Sequence, residues 1–522
     1  MILLNSNGEK IHLLKTKNIS NSWDAAHNYL DESDSKAFIQ PDIESALFNE
    51  QVSTLKLKSS ENGYLESWPQ PKEEKDNLVW YLNDNFSQLR KANTEVINKV
   101  VKENRIIKIA IIDTGYQEGH PALPQFLSKG ISFIEGELGQ PAIDKNAGTI
   151  AEQNGHGTAT MSILAGRKVD IQVLGQSYSG DFGAIPFAEI IPIRICETVA
   201  LIRTSAFVDA VEYAINQGCE VISMSMAGAP TKAWATVVNK AYENGVVLVT
   251  AAGNSWYKGV ASISPQRLLY PARWDRVIAA TGVAYNKLPY VMNAQVREKG
   301  GSSEDMQGNY GPESAMKSAL AAYTPNTTWA TLNDNKKLYR LNGGGTSSAT
   351  PQIAAAAALW IVYYKQEIED LLKNKPTEKW KKVEMVKKAL FNSADKSHSE
   401  YNIYFGQGIL KSYDALSFRP TTANLVKAKK ATVSLWGILD LLGLLLRLKS
   451  GSNEEMIIRG EMFGVEILQQ LHNNPRLYKF LDYDENYIWT TDEKKEIIDE
   501  LIGSSSISTR LREYLIENDQ FR

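Results

Sequence analysis

Ile106-Ile107-Lys108-Ile109-Ala110-Ile111-Ile112-Asp113-Thr114-Gly115 decides the fold. β-Branched residues at this density read as a strand buried on both faces, as in a parallel sheet covered by helices. The run ends in a carboxylate and then a glycine turn. Functional side chains of open parallel sheets gather at the carboxyl ends of the strands. Asp113 is therefore a candidate from its position alone.

Working outward, further strand-like runs occupy Ile190–Ile195, Glu220–Met224, Val246–Thr250 and Val277–Thr281. Helical patterns lie between and after them, over Thr158–Ala165, Ala206–Gln217, Lys232–Asn244 and Thr350–Tyr364. The alternation predicts an α/β fold with three layers, a mainly parallel sheet flanked by helices. Upstream, Leu89, Ala92, Val96 and Val100 recur at helical spacing and predict a helix over 78–103.

Residues 1–75 show no comparable periodicity, and SWPQPKEEKDN (Ser67–Asn77) reads as a linker. An irregular N-terminal extension over 1–75 and an α/β domain over 76–418 are expected. Beyond Phe418 the texture changes. Met456, Ile457, Met462, Val465, Ile467 and Leu468 fall at helical spacing, which predicts a small, mostly helical C-terminal region over 419–522.

The chain has 522 residues, 43% hydrophobic and 22% charged, which is globular composition. A net charge of −3 gives no electrostatic reason to expect nucleic acid or an anionic membrane as partner. Two cysteines, Cys196 and Cys219, build no disulfide framework and read as buried thiols. Ala431–Leu448 is apolar, but Asp440 interrupts it and Arg447 lies near its end, so no uncharged stretch reaches the roughly 20 residues of a membrane span. Ile2–Leu4 is too short for the apolar core of a secretion signal, and no small-residue cleavage site follows. A cytoplasmic protein is expected.

Three clusters carry chemistry. Ile111-Ile112-Asp113-Thr114-Gly115 closes the strand. Asn154-Gly155-His156-Gly157-Thr158-Ala159-Thr160 sets a histidine between glycines at a helix start. Gly343-Gly344-Gly345-Thr346-Ser347-Ser348-Ala349-Thr350-Pro351 is a glycine turn ending in serine at another helix start. Singly, each has an ordinary structural reading as a turn former, a loop histidine or a helix cap. Together they supply what acyl transfer needs: a nucleophile, an imidazole to take its proton, and a carboxylate to orient the imidazole.

IIDTG around Asp113, NGHGTATMSILAG around His156 and GTSSATP around Ser347 resemble the subtilisin-like serine peptidases, or subtilases. The order Asp, His, Ser is that of subtilisin, and the resemblance runs from about residue 80 to about residue 418. It implies a subtilisin-like fold and a serine endopeptidase in which Asp113, His156 and Ser347 are catalytic. The strand Val247–Asn254 ends at the asparagine that the resemblance assigns to the oxyanion hole, with the Ser347 N–H as second donor. Ser225, Met226, Ala227 and Gly228 resemble the segment that pairs with extended substrate as an added strand.

By the same resemblance, Ala251, Ala252 and Gly253 line the pocket for the residue before the cut. Small residues there leave room for a large side chain, and no acid selects a basic one, so an apolar or aromatic residue is expected. No cofactor and no metal are expected. The helix after His156 runs into Ala165–Asp170 without an asparagine-rich loop, and no donor cluster offers the six to eight oxygens of a calcium site.

Gly183–Glu189 and Asn309–Thr328 suggest an intracellular bacterial branch of the family. The partners expected are a protein or peptide substrate and a regulatory protein docking through the N- or C-terminal region, since an unrestrained protease is a hazard to its cell. The alternative from another class is a catalytically silent subtilase-fold binding module. Loss of a triad member would favour it, and none is missing.

Overall fold

A computed structural model of the chain describes residues 1–4, 11–13, 21–32, 37–42, 44–46, 77–100, 107–145, 155–173, 175–199, 201–256, 266–291, 306–331, 338–433, 438, 454–481 and 487–517. All of the linker read at Ser67–Asn77 except Asn77, and most of the apolar run Ala431–Leu448, lie outside the described residues. Among the described residues, no helix is long and apolar enough to cross a membrane.

The isoleucine run forms the strand Lys108–Asp113 (β1). Glu189–Arg194 (β2), Val221–Met224 (β3), Val247–Ala251 (β4), Ile278–Val283 (β5) and Ala319–Tyr323 (β6) join it in one sheet of order β6-β5-β4-β3-β1-β2. Every pairing among these strands is parallel. Successive side chains of β1 point to opposite faces, as the pleat requires. Ile109 and Ile111 enter one apolar cluster, Ala110 and Ile112 the other.

Helices cover both faces. Thr204–Asn216 and Lys232–Glu243 lie on one. His156–Ala165 (α1), Gly345–Tyr363 (α2) and the helix Leu89–Val100 lie on the other. The alanine-rich α2 is buried along nearly its whole length, as a helix that is apolar all round must be. This is the mainly parallel three-layer architecture expected.

Two expectations need correction. The helix predicted over 78–103 is broken: a 3₁₀ turn, Asn77–Leu82, precedes the helix Leu89–Val100. Tertiary bonds hold the turn, because Trp80 Nε1–H donates to the Asn326 carbonyl at 2.8 Å and the Tyr81 hydroxyl to the Thr328 carbonyl at 3.0 Å.

The N-terminal extension is not irregular over its described parts. Ile2–Leu4 pairs antiparallel with Ile11–Leu13 and Phe38–Gln40, and Ser22–Glu32 is helical. Their core is supplied by the other end of the chain. Leu4, Trp23, Leu30 and Phe38 pack with Met462, Phe463 and Ile467 of the helix Glu454–Asn473. Trp23 Nε1–H donates to Gln469 Oε1 at 3.0 Å, and His27 meets Glu466 at 3.3 Å with neither side chain exposed. No local pattern in 1–75 reveals a partner more than 400 residues away.

This composite terminal unit docks on the α/β domain. Arg267 lies 4.3 Å over the Tyr478 ring, Arg273 donates to the Leu481 carbonyl at 3.3 Å, and Lys232 pairs with Glu461. Asp42 accepts from the Ser205 N–H at 2.8 Å and the Ser205 hydroxyl at 2.6 Å. The chain then lays Glu44–Ala46 antiparallel along the strand Leu201–Arg203.

Candidate active site

Parallel register delivers the site. Ile112 of β1 pairs with Met224 of β3, and Met224 pairs with Thr250 of β4. The residues just beyond, Asp113, Ser225 and the segment to Asn254, therefore leave the sheet side by side at its carboxyl edge, where parallel sheets carry their chemistry.

Asp113 ends β1 and is 1% exposed at its side chain. One oxygen accepts from the Thr114 N–H at 2.8 Å and from His156 Nδ1 at 2.7 Å. The other accepts from the Thr160 hydroxyl at 3.1 Å. A carboxylate oxygen can only accept, so Nδ1 carries the proton and Nε2 is left with its lone pair open.

His156 opens α1. It can stand this close to β1 because Gly157 has no side chain: a Cβ there would lie 2.0 Å from the Gly115 carbonyl oxygen. The Trp329 ring meets the imidazole edge-on at 6.2 Å.

Ser347 sits in the first turn of α2, over β3. Its hydroxyl donates to the Ser225 carbonyl at 3.1 Å, while the Ser225 hydroxyl donates to the Ser347 carbonyl at 2.9 Å. Among the described residues, Ser347 makes no hydrogen bond to His156 in this structure. Both groups are nearly enclosed, with 7% of Ser347 and 9% of the His156 side chain exposed.

Gly345 enters α2 at φ +70° with Asn254 directly against it, 3.0 Å from where a Cβ would stand. The Thr346 N–H donates to Asn254 Oδ1 at 2.9 Å, and the Thr346 hydroxyl to the Gly253 carbonyl at 3.0 Å. Oδ1 is thus engaged, and Asn254 Nδ2–H has no hydrogen-bond partner among the described residues.

Met226 is buried, its Sδ 3.3 Å from Cys196 Sγ. Ala227 is buried, and Gly228 pairs with Tyr270. Ala251 ends β4, Ala252 accepts from the Leu269 N–H at 3.0 Å, and the Gly253 carbonyl accepts from the Asn309 N–H at 2.9 Å. His120 is spent on backbone: one ring nitrogen meets the Leu338 carbonyl at 3.0 Å and the other the Ala122 N–H at 3.1 Å. Both cysteines are free and buried, and burial pushes the Cys219 thiol up to about 12.

A supporting network escaped the sequence reading. Asp144 accepts from the Thr114 hydroxyl at 3.2 Å and the Gly155 N–H at 3.2 Å, and the Gly157 N–H donates to Thr114 Oγ1 at 3.0 Å. Arg194 pairs with Asp144 at 3.5 Å and with Glu137 at 3.0 Å. Burial works to raise the Glu137 carboxyl, but its bonds to Arg194, Lys145 and Ser132 outweigh that and hold it below the ordinary value. These contacts tie the turn after Asp113 to the start of α1. Asp144 stands outside any strand or motif, so nothing local marks it. Arg194, a charge ending an apolar strand, was the one available signal.

Subtilases commonly hold calcium. Among the described residues, no three His, Cys, Asp or Glu side chains converge as a metal site.

The sequence profile of the subtilase family matches residues 104–409. Subtilisin DY of Bacillus licheniformis is 30% identical over 261 residues, covering 49% of this chain and 77% of that protein. Thermitase of Thermoactinomyces vulgaris is 26% identical over 319 residues, covering 61% of this chain and 91% of that protein. The chain belongs to the subtilase family. It is a subtilisin-like serine endopeptidase.

Proposed function

We propose that Asp113, His156 and Ser347 form the catalytic triad of this endopeptidase and that it hydrolyses protein substrates inside the cell. The observation that carries the triad is the 2.7 Å bond from His156 Nδ1 to Asp113, beside the strand end that holds Ser347. Extended substrate pairs with Ser225–Gly228 as an added strand. A substrate N–H that takes the Ser225 carbonyl competes with the Ser347 hydroxyl for it, and so frees Oγ to turn to His156 Nε2.

Oγ then attacks the peptide carbonyl while Nε2 takes its proton, and Asp113 stabilises the imidazolium that forms. Asn254 Nδ2–H and the Ser347 N–H donate to the oxyanion. His156 protonates the leaving amine. Water, activated by the same imidazole, opens the acyl-enzyme and regenerates Ser347.

The terminal segments serve as a built-in restraint. Support comes from the strand Glu44–Ala46 laid antiparallel along Leu201–Arg203, which follows β2 in the chain. Incubation with a quenched-fluorescence peptide library tests the reading. Wild type should cut internal bonds, and Ser347→Ala should cut none. Equal cleavage by both would refute it. Fractionation of the producing cells tests the location: activity outside the cell would contradict action within.

A further inference from the structure

Glu220 and Val246 stand just before β3 and β4, at the amino edge of the sheet, opposite the edge that carries Asp113 and Ser225. A cavity of about 680 Å³ opens there, between the sheet, the last turn of α2 and the helices Lys365–Leu372 and Trp380–Ser393. Sites for small molecules commonly measure roughly 300–1,000 Å³. The length of β3, roughly 13 Å, lies between this cavity and Ser225.

Floor and rim differ in chemistry. Val246, Ile361 and Ile368 line the cavity as buried side chains, with Leu372 half-buried beside them. Among the described residues no aromatic ring lines it, so the apolar part suits an aliphatic chain better than a stacked base. Lys365, Lys375, Lys379 and Lys382 line it against Glu220 and Glu369. This cationic excess stands on a chain whose net charge is −3. Glu220 is already held, 3.7 Å from Lys365 and 3.0 Å from Lys382. Lys375 and Lys379 are exposed. Lys375 bonds the neutral Leu371 carbonyl at 3.1 Å, and Glu378, between the two in sequence, pairs with Lys381 at 2.8 Å. Positive charge is thus set over an aliphatic floor.

We propose that this cavity binds one amphiphilic anion, an aliphatic chain ending in a phosphate or a carboxylate. The chain lies on Ile361 and Ile368, and the head sits between Lys375 and Lys379. The apolar floor is buried beneath the lysines, so the occupant is a single molecule and not the face of a bilayer. The site is separate from the catalytic cleft and does not depend on the reading of Ser347 as nucleophile. Each methylene withdrawn from water tightens binding by up to about fourfold. The two exposed ammonium groups add an attraction that salt weakens.

The test is calorimetric titration of the full-length chain with decyl phosphate and decanoate, each below the concentration at which it forms micelles. One of them, or both, should bind one to one, and the tighter names the head group. Decyl phosphate should bind about tenfold or more tighter than hexyl phosphate. The double variant Lys375→Glu, Lys379→Glu should weaken binding by about tenfold or more at an unchanged melting temperature, since both side chains are exposed. Equal affinity for decyltrimethylammonium, no dependence on chain length, or unchanged affinity in the double variant would overturn the proposal. So would binding to phosphatidylglycerol vesicles with none to either soluble probe.

Discussion

Ser347 and Ser225 hold each other by a reciprocal pair of hydrogen bonds, hydroxyl to carbonyl in both directions, at 3.1 and 2.9 Å. The Ser347 proton is thus committed to the Ser225 carbonyl, and in the proposed mechanism substrate must take that carbonyl before the proton can pass to His156. Binding and activation are coupled through one carbonyl oxygen.

That coupling predicts how peptide length acts. Extending a substrate from one to four residues before the cut should raise kcat by about tenfold or more, because binding far from the reacting bond is then spent on orienting it. Steady-state kinetics on a length series checks this. A series in which only KM falls would show that strand pairing does not reach Ser347.

In the proposed mechanism, Asn254→Ala removes one oxyanion donor. The expected loss is about 10²–10³ in kcat with little change in KM, a magnitude taken over from subtilisin, where the corresponding asparagine was replaced. A variant changed chiefly in KM would place Asn254 in substrate binding.

Asp113→Asn keeps the shape but lets the side-chain amide donate to Nδ1, which favours the tautomer with its proton on Nε2. The expected cost is about 10⁴ in kcat near neutral pH, by analogy with the same exchange in trypsin-type enzymes. A loss below tenfold would mean that the 2.7 Å contact does not orient the base.

His472 is fully buried in the terminal unit, its ring 6.0 Å from that of Tyr270. Burial first, then the charges of Arg267 and Arg273, hold its pKa well below the ordinary 6.5. The folded protein keeps it neutral while the unfolded chain takes up a proton, so its contribution is whole above about 6.5 and is lost as pH falls below that. Between about pH 7.5 and 5.5 the melting temperature should fall more for wild type than for His472→Gln. Equal falls would contradict the assignment.

Leu4→Ala should weaken the terminal unit by about 2–5 kcal/mol, the usual cost of such a core truncation. Hydrogen exchange should then speed up in Glu454–Asn473, the helix that shares this core. Unchanged protection there would mean that the two ends of the chain are not one unit.

Much of the catalytic fold was legible because its signals are local. Ile107–Ile112 and Val247–Thr250 carry enough β-branched residues to specify strands, and the glycine-framed His156 and Ser347 mark sharp helix starts. Ala319–Tyr323 was missed: alanine favours no strand, and only burial beside β5 makes it one. The terminal unit was missed because neither half has a core without the other.

The most direct test is covalent labelling with a fluorophosphonate followed by peptide mapping. The label should sit on Ser347, vanish in Ser347→Ala, and form more slowly by about 10²–10⁴ in His156→Ala. Label on Ser348 or another residue, or labelling that is indifferent to His156, would contradict the account.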